Sequence, residues 1–201
     1  MVEQSLWMQK VAANPGHSQW YIDRFRSMAQ AGKDLDGEAR FIDAMAPRGA
    51  RILDAGCGPG RVGGYLAAAG HDVVGVDVDP ALIAAAEADH RGPRWLVGDL
   101  AELDLPARGI AEPFDVIVSA GNVMTFLAPS TRTRVLGRLR AHLAGDGRAV
   151  IGFGAGREYP YADFLADAGE AGLTPDLLLS TWDVRPFRED ADFLVAILRA
   201  G

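Results

Sequence analysis

The 201-residue chain predicts an α/β fold: a doubly wound, mostly parallel seven-stranded sheet with an antiparallel C-terminal hairpin, preceded by an N-terminal helical cap. Three observations predict it. From Arg51 onward, short apolar runs alternate with segments of helical periodicity. The segments between most runs are helix-length, which calls for parallel pairing with right-handed crossovers. The last two runs are joined by a short polar link, which calls for an antiparallel hairpin.

The elements follow in chain order. Residues 1–46 are polar-aromatic and read as helices, with Trp20 and Arg24, then Tyr21, Phe25 and Met28, at helical spacing. Phe41, Ile42 and Met45 form an apolar stripe in Gly37–Ala46, and Pro47-Arg48-Gly49 breaks it. Arg51–Ala55 is a short strand, Arg61–Ala69 a helix stopped by Gly70, and Asp72–Val76 a valine-rich strand. Asp79-Pro80 starts the next helix, since Asp caps and Pro needs no N–H partner in a first turn. Strands follow at Arg94–Val97 and Phe114–Ser119, and a helix at Ser130–Leu143. Then come a strand at Arg148–Phe153, a helix at Tyr161–Ala171, and two strands, Leu177–Val184 and Phe193–Arg199, around Pro186–Asp190. The expected division is a cap over residues 1–46 and a core over residues 47–201, one domain overall.

Composition narrows the class. The chain is 49% hydrophobic and 23% charged, an ordinary globular balance. One cysteine rules out an internal disulfide. No apolar run reaches the roughly 18 residues of a membrane span, and the start lacks a basic-then-apolar leader, so a cytoplasmic location is the default expectation. A net charge of −7 argues against nucleic acid or anionic membranes as partners.

Four motifs fall at strand ends, where open α/β sheets bind ligands. Asp54-Ala55-Gly56-Cys57-Gly58-Pro59-Gly60 leaves a strand and opens a helix, and its glycines let backbone approach a ligand without Cβ clashes. Asp77 lies 23 residues beyond Asp54 and can accept from both hydroxyls of a ribose, with Val78 beside it. Asp99 lies 22 residues beyond Asp77, placed to accept from a purine amine while Leu100 packs on the ring. Ser119-Ala120-Gly121-Asn122 offers small residues against which a ligand can lie; Asn122 reads equally as a ligand contact or a turn asparagine.

In this order and spacing the motifs resemble those of the class I S-adenosylmethionine-dependent methyltransferases. The resemblance covers about residues 48–201. It implies S-adenosyl-L-methionine as cofactor, methyl transfer to an acceptor, and S-adenosylhomocysteine as product; the acceptor is expected to be a small molecule, and the likeness names none. The cofactor residues it implies are Asp54, Gly56, Cys57, Gly58, Asp77, Val78, Asp99, Leu100, Ala120, Gly121 and Asn122. On the substrate side it points to His17 as a candidate base, Tyr21, Arg24 and Tyr159, with Arg157, Tyr161, Trp182 and Arg185 near them. Arg24 or Arg26 would reach the methionine carboxylate from the cap.

Other readings are weaker. Gly58-Pro59-Gly60-Arg61-Val62-Gly63 formally fits a dinucleotide fingerprint, but only if the strand runs on through Cys57. A non-catalytic S-adenosylmethionine-binding module stays open. Cys57 reads as a small residue filling a tight loop. The four histidines share no metal-ligand spacing, and His71 and His90 fall near helix C-termini, where partial cations are favoured. Arg132, Arg134, Arg138 and Arg140 lie opposite a leucine face and read as solvated.

Overall fold

Strand and helix alternate in the computed structural model, which describes residues 2–201. The cap is α1 (Leu6–Ala13), α2 (His17–Gln30) and α3 (Gly37–Met45). The core runs β1 (Arg51–Ala55), α4 (Arg61–Ala68), β2 (Asp72–Asp77), α5 (Pro80–Asp89), β3 (Arg94–Val97) and β4 (Phe114–Ser119). It continues with α6 (Arg132–Ala141), β5 (Leu143–Gly154), α7 (Tyr161–Glu170), β6 (Leu173–Leu179) and β7 (Phe193–Ala200). The seven strands form one sheet in the order β3-β2-β1-β4-β5-β7-β6. Pairings from β3 through β5 are parallel, and β7 runs antiparallel to both of its neighbours. No helix among the described residues is long and apolar enough to cross a membrane.

Alternation along the strands splits the core into two layers, as a period of two requires. Ile52, Val116 and Val150 face one side, against Ile42 of α3 and Leu66 of α4. Leu53, Ile117 and Ile151 face the other, against Leu136 of α6 and Phe164 of α7. Strand order reverses at β1 and β4, which opens a crevice beyond their C-terminal ends.

Two strand boundaries differ from expectation. Leu143 begins β5 instead of ending a helix: it pairs with Phe114, and the register shift beyond that pair absorbs the Gly145-to-Gly147 segment. The sixth strand is Leu173–Leu179, not Leu177–Val184, and Ser180–Asp192 loops on to β7. Pro175 lies inside this strand. However, β6 is an edge strand with a register shift at Pro175, where a missing N–H costs no ladder bond.

One buried carboxylate ties two cap helices to the core. Asp79 caps α5 by accepting from the Ala81 N–H at 2.9 Å. Its other oxygen accepts from Trp7 Nε1 at 2.9 Å and Ser18 Oγ at 2.5 Å, one donor from each of the first two helices. All three side chains are buried. Ser18→Ala is expected to cost about 1.5 kcal/mol, the lower range for a bond to a charged group, because Asp79 keeps its other partners. Thermal unfolding should therefore shift down by roughly 3–6 °C, with faster proteolysis in the cap. An unchanged melting temperature would show that the Ser18 bond adds nothing to the hold on the cap.

Candidate functional site

The glycine loop leaves β1 at Ala55, and its first N–H groups, on Gly56 and Cys57, donate to the Val76 carbonyl at 2.8 and 3.1 Å. That hangs the loop on the end of β2. Gly58 then donates to Asp77 Oδ2 at 2.8 Å. Gly58 has φ +54° and Gly121 φ +75°, and a Cβ on either would meet only Tyr21, at 3.8 and 3.9 Å. Bare backbone thus faces open space on both sides of one cleft, a cradle suited to a ligand pressed against main chain.

Buried carboxylates line it. Asp77 accepts from Gly58 through one oxygen and from the Asp79 N–H at 2.9 Å through the other. Each oxygen keeps a lone pair, because an ionised carboxylate accepts about four bonds. Burial raises its pKa to about 6 against the pull of those backbone donors. Asp54 accepts from the Gly63 N–H at 2.9 Å, and burial raises it further, to about 7. Asp99 caps the 3₁₀ turn Leu100–Glu102 through the Ala101 N–H at 2.8 Å, which turns Leu100 onto the same cleft.

The structure brings Asp54, Gly56, Cys57, Gly58, Asp77, Val78, Asp99, Leu100, Ala120 and Gly121 to the wall of this single cleft. Its volume is about 890 Å³, open mouth included. Asn122 lines an adjoining cleft of about 1040 Å³ instead. It takes φ +68°, and its Oδ1 accepts from the Gly154 N–H at 2.8 Å, the geometry of a turn asparagine locking β4 to β5. Trp7, Tyr21, Phe25, Arg61, Gly121 and Phe126 belong to both clefts and divide them. His17, Trp20, Arg24 and Arg157 line the second cleft only.

Several expected placements are corrected. Tyr159 is 2% exposed and packs between Phe153 and Phe164, with its hydroxyl donating to Asp167 at 2.6 Å. It is a core residue on neither cleft wall. Tyr161 packs on Phe153 and Phe187, and Trp182 lies over Gly152 and Phe41. Arg185 pairs with Asp183 on the surface. Arg26 forks onto Asp89 and turns away from the crevice, which leaves Arg24 as the inward-facing one of the two. His90 packs against Gly64, and burial lowers its pKa, so the expected partial cation is disfavoured there. Arg132 is not simply solvated: it stacks 4.0 Å from the Tyr159 ring centre and donates to the Glu158 carbonyl. Cys57 fills the space above Gly75, and burial pushes its thiol pKa well up.

β1 ends at Ala55, so Gly56 is the first loop glycine and Arg61 takes the place where a dinucleotide fingerprint needs its last one. Arg61 instead forks onto Glu38 of α3 at 2.8 Å and also donates to the Leu35 carbonyl. This pins the end of the cap to the start of α4. Arg61, Trp7 and Phe126 were not legible as cleft residues. Their positions depend on how α1 and the turn Val123–Phe126 fold over the sheet, which no local pattern encodes.

A methyltransferase-domain family model matches residues 52–147. A TehB-like S-adenosylmethionine-dependent methyltransferase from Corynebacterium glutamicum is 52% identical, with a TM-score of 0.88 over 94% of this chain and 100% of that one. A magnesium-protoporphyrin O-methyltransferase from Rhodobacter capsulatus is 39% identical over 141 residues, 66% of this chain and 57% of the relative. A malonyl-[acyl-carrier protein] O-methyltransferase from Pectobacterium atrosepticum is 30% identical over 105 residues, 52% of this chain and 40% of the relative. The chain thus spans about half the length of these curated relatives. The sheet order, the glycine cradle, the carboxylates at successive strand ends and the full-length likeness to the corynebacterial enzyme agree: this chain belongs to the class I S-adenosylmethionine-dependent methyltransferases.

Proposed function

We propose that the cleft from Asp54 to Gly121 holds the cofactor and that a small molecule enters the adjoining cleft to be methylated. The observation that carries this is the convergence of four strand-end motifs on one concave wall, with a second cleft sharing its partition. Asp77 accepts from the ribose hydroxyls through its free lone pairs. Asp99 and Leu100 hold the adenine, the Gly56–Gly58 backbone faces the methionine portion, and Ala120 and Gly121 lie near the sulfur. When bound, S-adenosylmethionine supplies the electrophilic methyl group. The protein's part is to hold an acceptor in line with that group, and such positioning can lower a barrier by roughly 7–11 kcal/mol. Tyr21 stands between the clefts, and burial raises its pKa, so its phenol stays protonated at neutral pH and serves as a donor. His17 is the imidazole in the acceptor cleft and the candidate base if the acceptor must lose a proton. Residues 2–46 act as the lid of both clefts. Concave clefts in a chain of net charge −7 support a small-molecule acceptor over a nucleic acid.

Calorimetric titration with S-adenosylhomocysteine and, separately, NADH tests the cofactor assignment. The first is expected to bind and the second not; the reverse outcome overturns it. A pH series sharpens the test. Asp54 and Asp77 titrate higher in the folded chain than their ordinary 3.8. The folded state therefore binds more protons between these values. Their contribution to apo-protein stability is full below pH 3.8 and is lost as pH rises through about 6 and 7. Ribose hydroxyls need the ionised Asp77, so binding releases protons near pH 6. Affinity is expected to fall roughly tenfold from about pH 7.5 to about pH 5. A pH-independent affinity would remove Asp77 from the ribose contact.

A further inference from the structure

The acceptor cleft is positively charged within an acidic protein. Lys10, Arg24 and Arg157 line it. None of these three makes an ion pair among the described residues. The acids on its wall are neutralised: Asp34 is forked by Arg40 and Glu38 by Arg61, each at 2.7–2.8 Å. Formal charge inside the cleft is therefore positive, while the chain as a whole carries −7.

Flat apolar surface accompanies the charge. Trp20 is 53% exposed, stacked on His17 at 5.5 Å and 22°, with the Arg24 guanidinium 5.7 Å from its ring centre. On the wall of the same cleft, Lys10 Nζ lies 6.0 Å from the Phe126 ring centre. Each of these cations thus stands beside an aromatic face. A compact inorganic anion would satisfy the charges and leave the indole in water. A neutral aromatic would cover the indole and leave the guanidiniums without a partner. An aromatic or similarly planar carboxylate satisfies both, because guanidinium matches carboxylate geometry and also stacks on rings.

Resting on the acceptor-cleft reading above, we propose that the methyl acceptor is a small organic anion of the aromatic carboxylate class. Its flat body lies against Trp20 and Phe126, and its charge is held by Lys10, Arg24 and Arg157.

Benzoate, benzamide and sulfate titrated into protein saturated with S-adenosylhomocysteine test this directly. Benzoate is expected to bind roughly tenfold or more tightly than benzamide, the scale of a charge-assisted hydrogen bond, and to weaken as salt is added. Sulfate is expected to bind more weakly than benzoate. In the Lys10→Gln/Arg157→Gln variant benzoate affinity should fall by at least tenfold, while S-adenosylhomocysteine affinity is kept. Equal binding of benzoate and benzamide, equal binding of sulfate and benzoate, or no binding of any probe overturns the proposal. If S-adenosylhomocysteine itself fails to bind, the cofactor reading falls. The same three probes titrated into the unliganded protein then still decide the anion preference of this cleft.

Discussion

Asp77→Ala is expected to weaken S-adenosylhomocysteine binding by roughly ten- to a hundredfold, the factor that corresponds to losing a charged hydrogen bond of about 1.5–3 kcal/mol. The structure adds a second effect. The carboxylate also holds the Gly58 and Asp79 N–H groups, at 2.8 and 2.9 Å. Truncation leaves both donors without a partner in a buried site, at about 1–3 kcal/mol each. Part of any affinity loss would then come from a loosened glycine loop. Asp77→Asn separates the two contributions. It keeps the shape and one acceptor oxygen but removes the charge. Its melting temperature should lie nearer the wild type's than that of Asp77→Ala, while its affinity still falls. Calorimetry and thermal denaturation on both variants check this. Unchanged affinity in a folded Asp77→Asn protein would mean that the carboxylate is there to position the loop and not to bind a ribose.

Gly60→Ala is expected to damage the fold severely. Gly60 sits at φ +85°, where an L side chain costs about 1–2 kcal/mol. Its added Cβ would lie 2.8 Å from Ala86 Cβ and 2.9 Å from the Trp95 ring. Overpacking of that kind costs typically about 1–3 kcal/mol more. The sum, roughly 2–5 kcal/mol, corresponds to a fall of some 4–20 °C in melting temperature for a chain of this size. Trp95 explains the crowding. A Cβ at Gly63 would sit 2.8 Å from its ring and one at Gly75 only 2.2 Å, so three glycines accommodate a single indole. Gly75 is its cross-strand partner on β2. The ring lies beneath the start of α4, at the base of the glycine loop. Trp95→Leu should make Gly60→Ala less damaging than it is in the wild-type background. That difference, measured as a double-mutant cycle, isolates the part of the steric cost that Trp95 carries. Strict additivity of the two substitutions would show that the Trp95 ring carries none of the cost, which would then lie in the backbone angle and the contact with Ala86.

Trp95 also marks a limit of reading from the chain alone. Gly56, Gly58 and Gly60 signal a ligand loop by their density, and backbone approach is one reason for them. For Gly60 a second reason operates, clearance for a tryptophan 35 residues further on, and nothing local to the loop announces it. Asp79 behaves similarly. Its role as a helix cap is legible from Asp-Pro, whereas its hold on Trp7 and Ser18 joins parts of the chain 61 and 72 residues apart. Tyr159 misleads in the opposite sense. A tyrosine just after a strand end resembles a pocket residue, yet a short segment can turn it inward, and here it completes an aromatic cluster with Phe153 and Phe164.

The sheet, its crossovers and the strand-end motifs were determined by the sequence itself, because hydrophobic period, capping residues and glycine placement act within a few residues of the backbone they shape. The β6 boundary was not, since an edge position excuses a proline only once its neighbours are known. The division of the crevice into two clefts, the inward turn of Arg24 against the outward turn of Arg26, and the neutralised acids beside unpaired cations were decided by tertiary structure alone. Each depends on how the cap helices dock over the sheet. That docking rests on buried contacts and hydrogen bonds between residues far apart in the chain, whose partners no local pattern specifies.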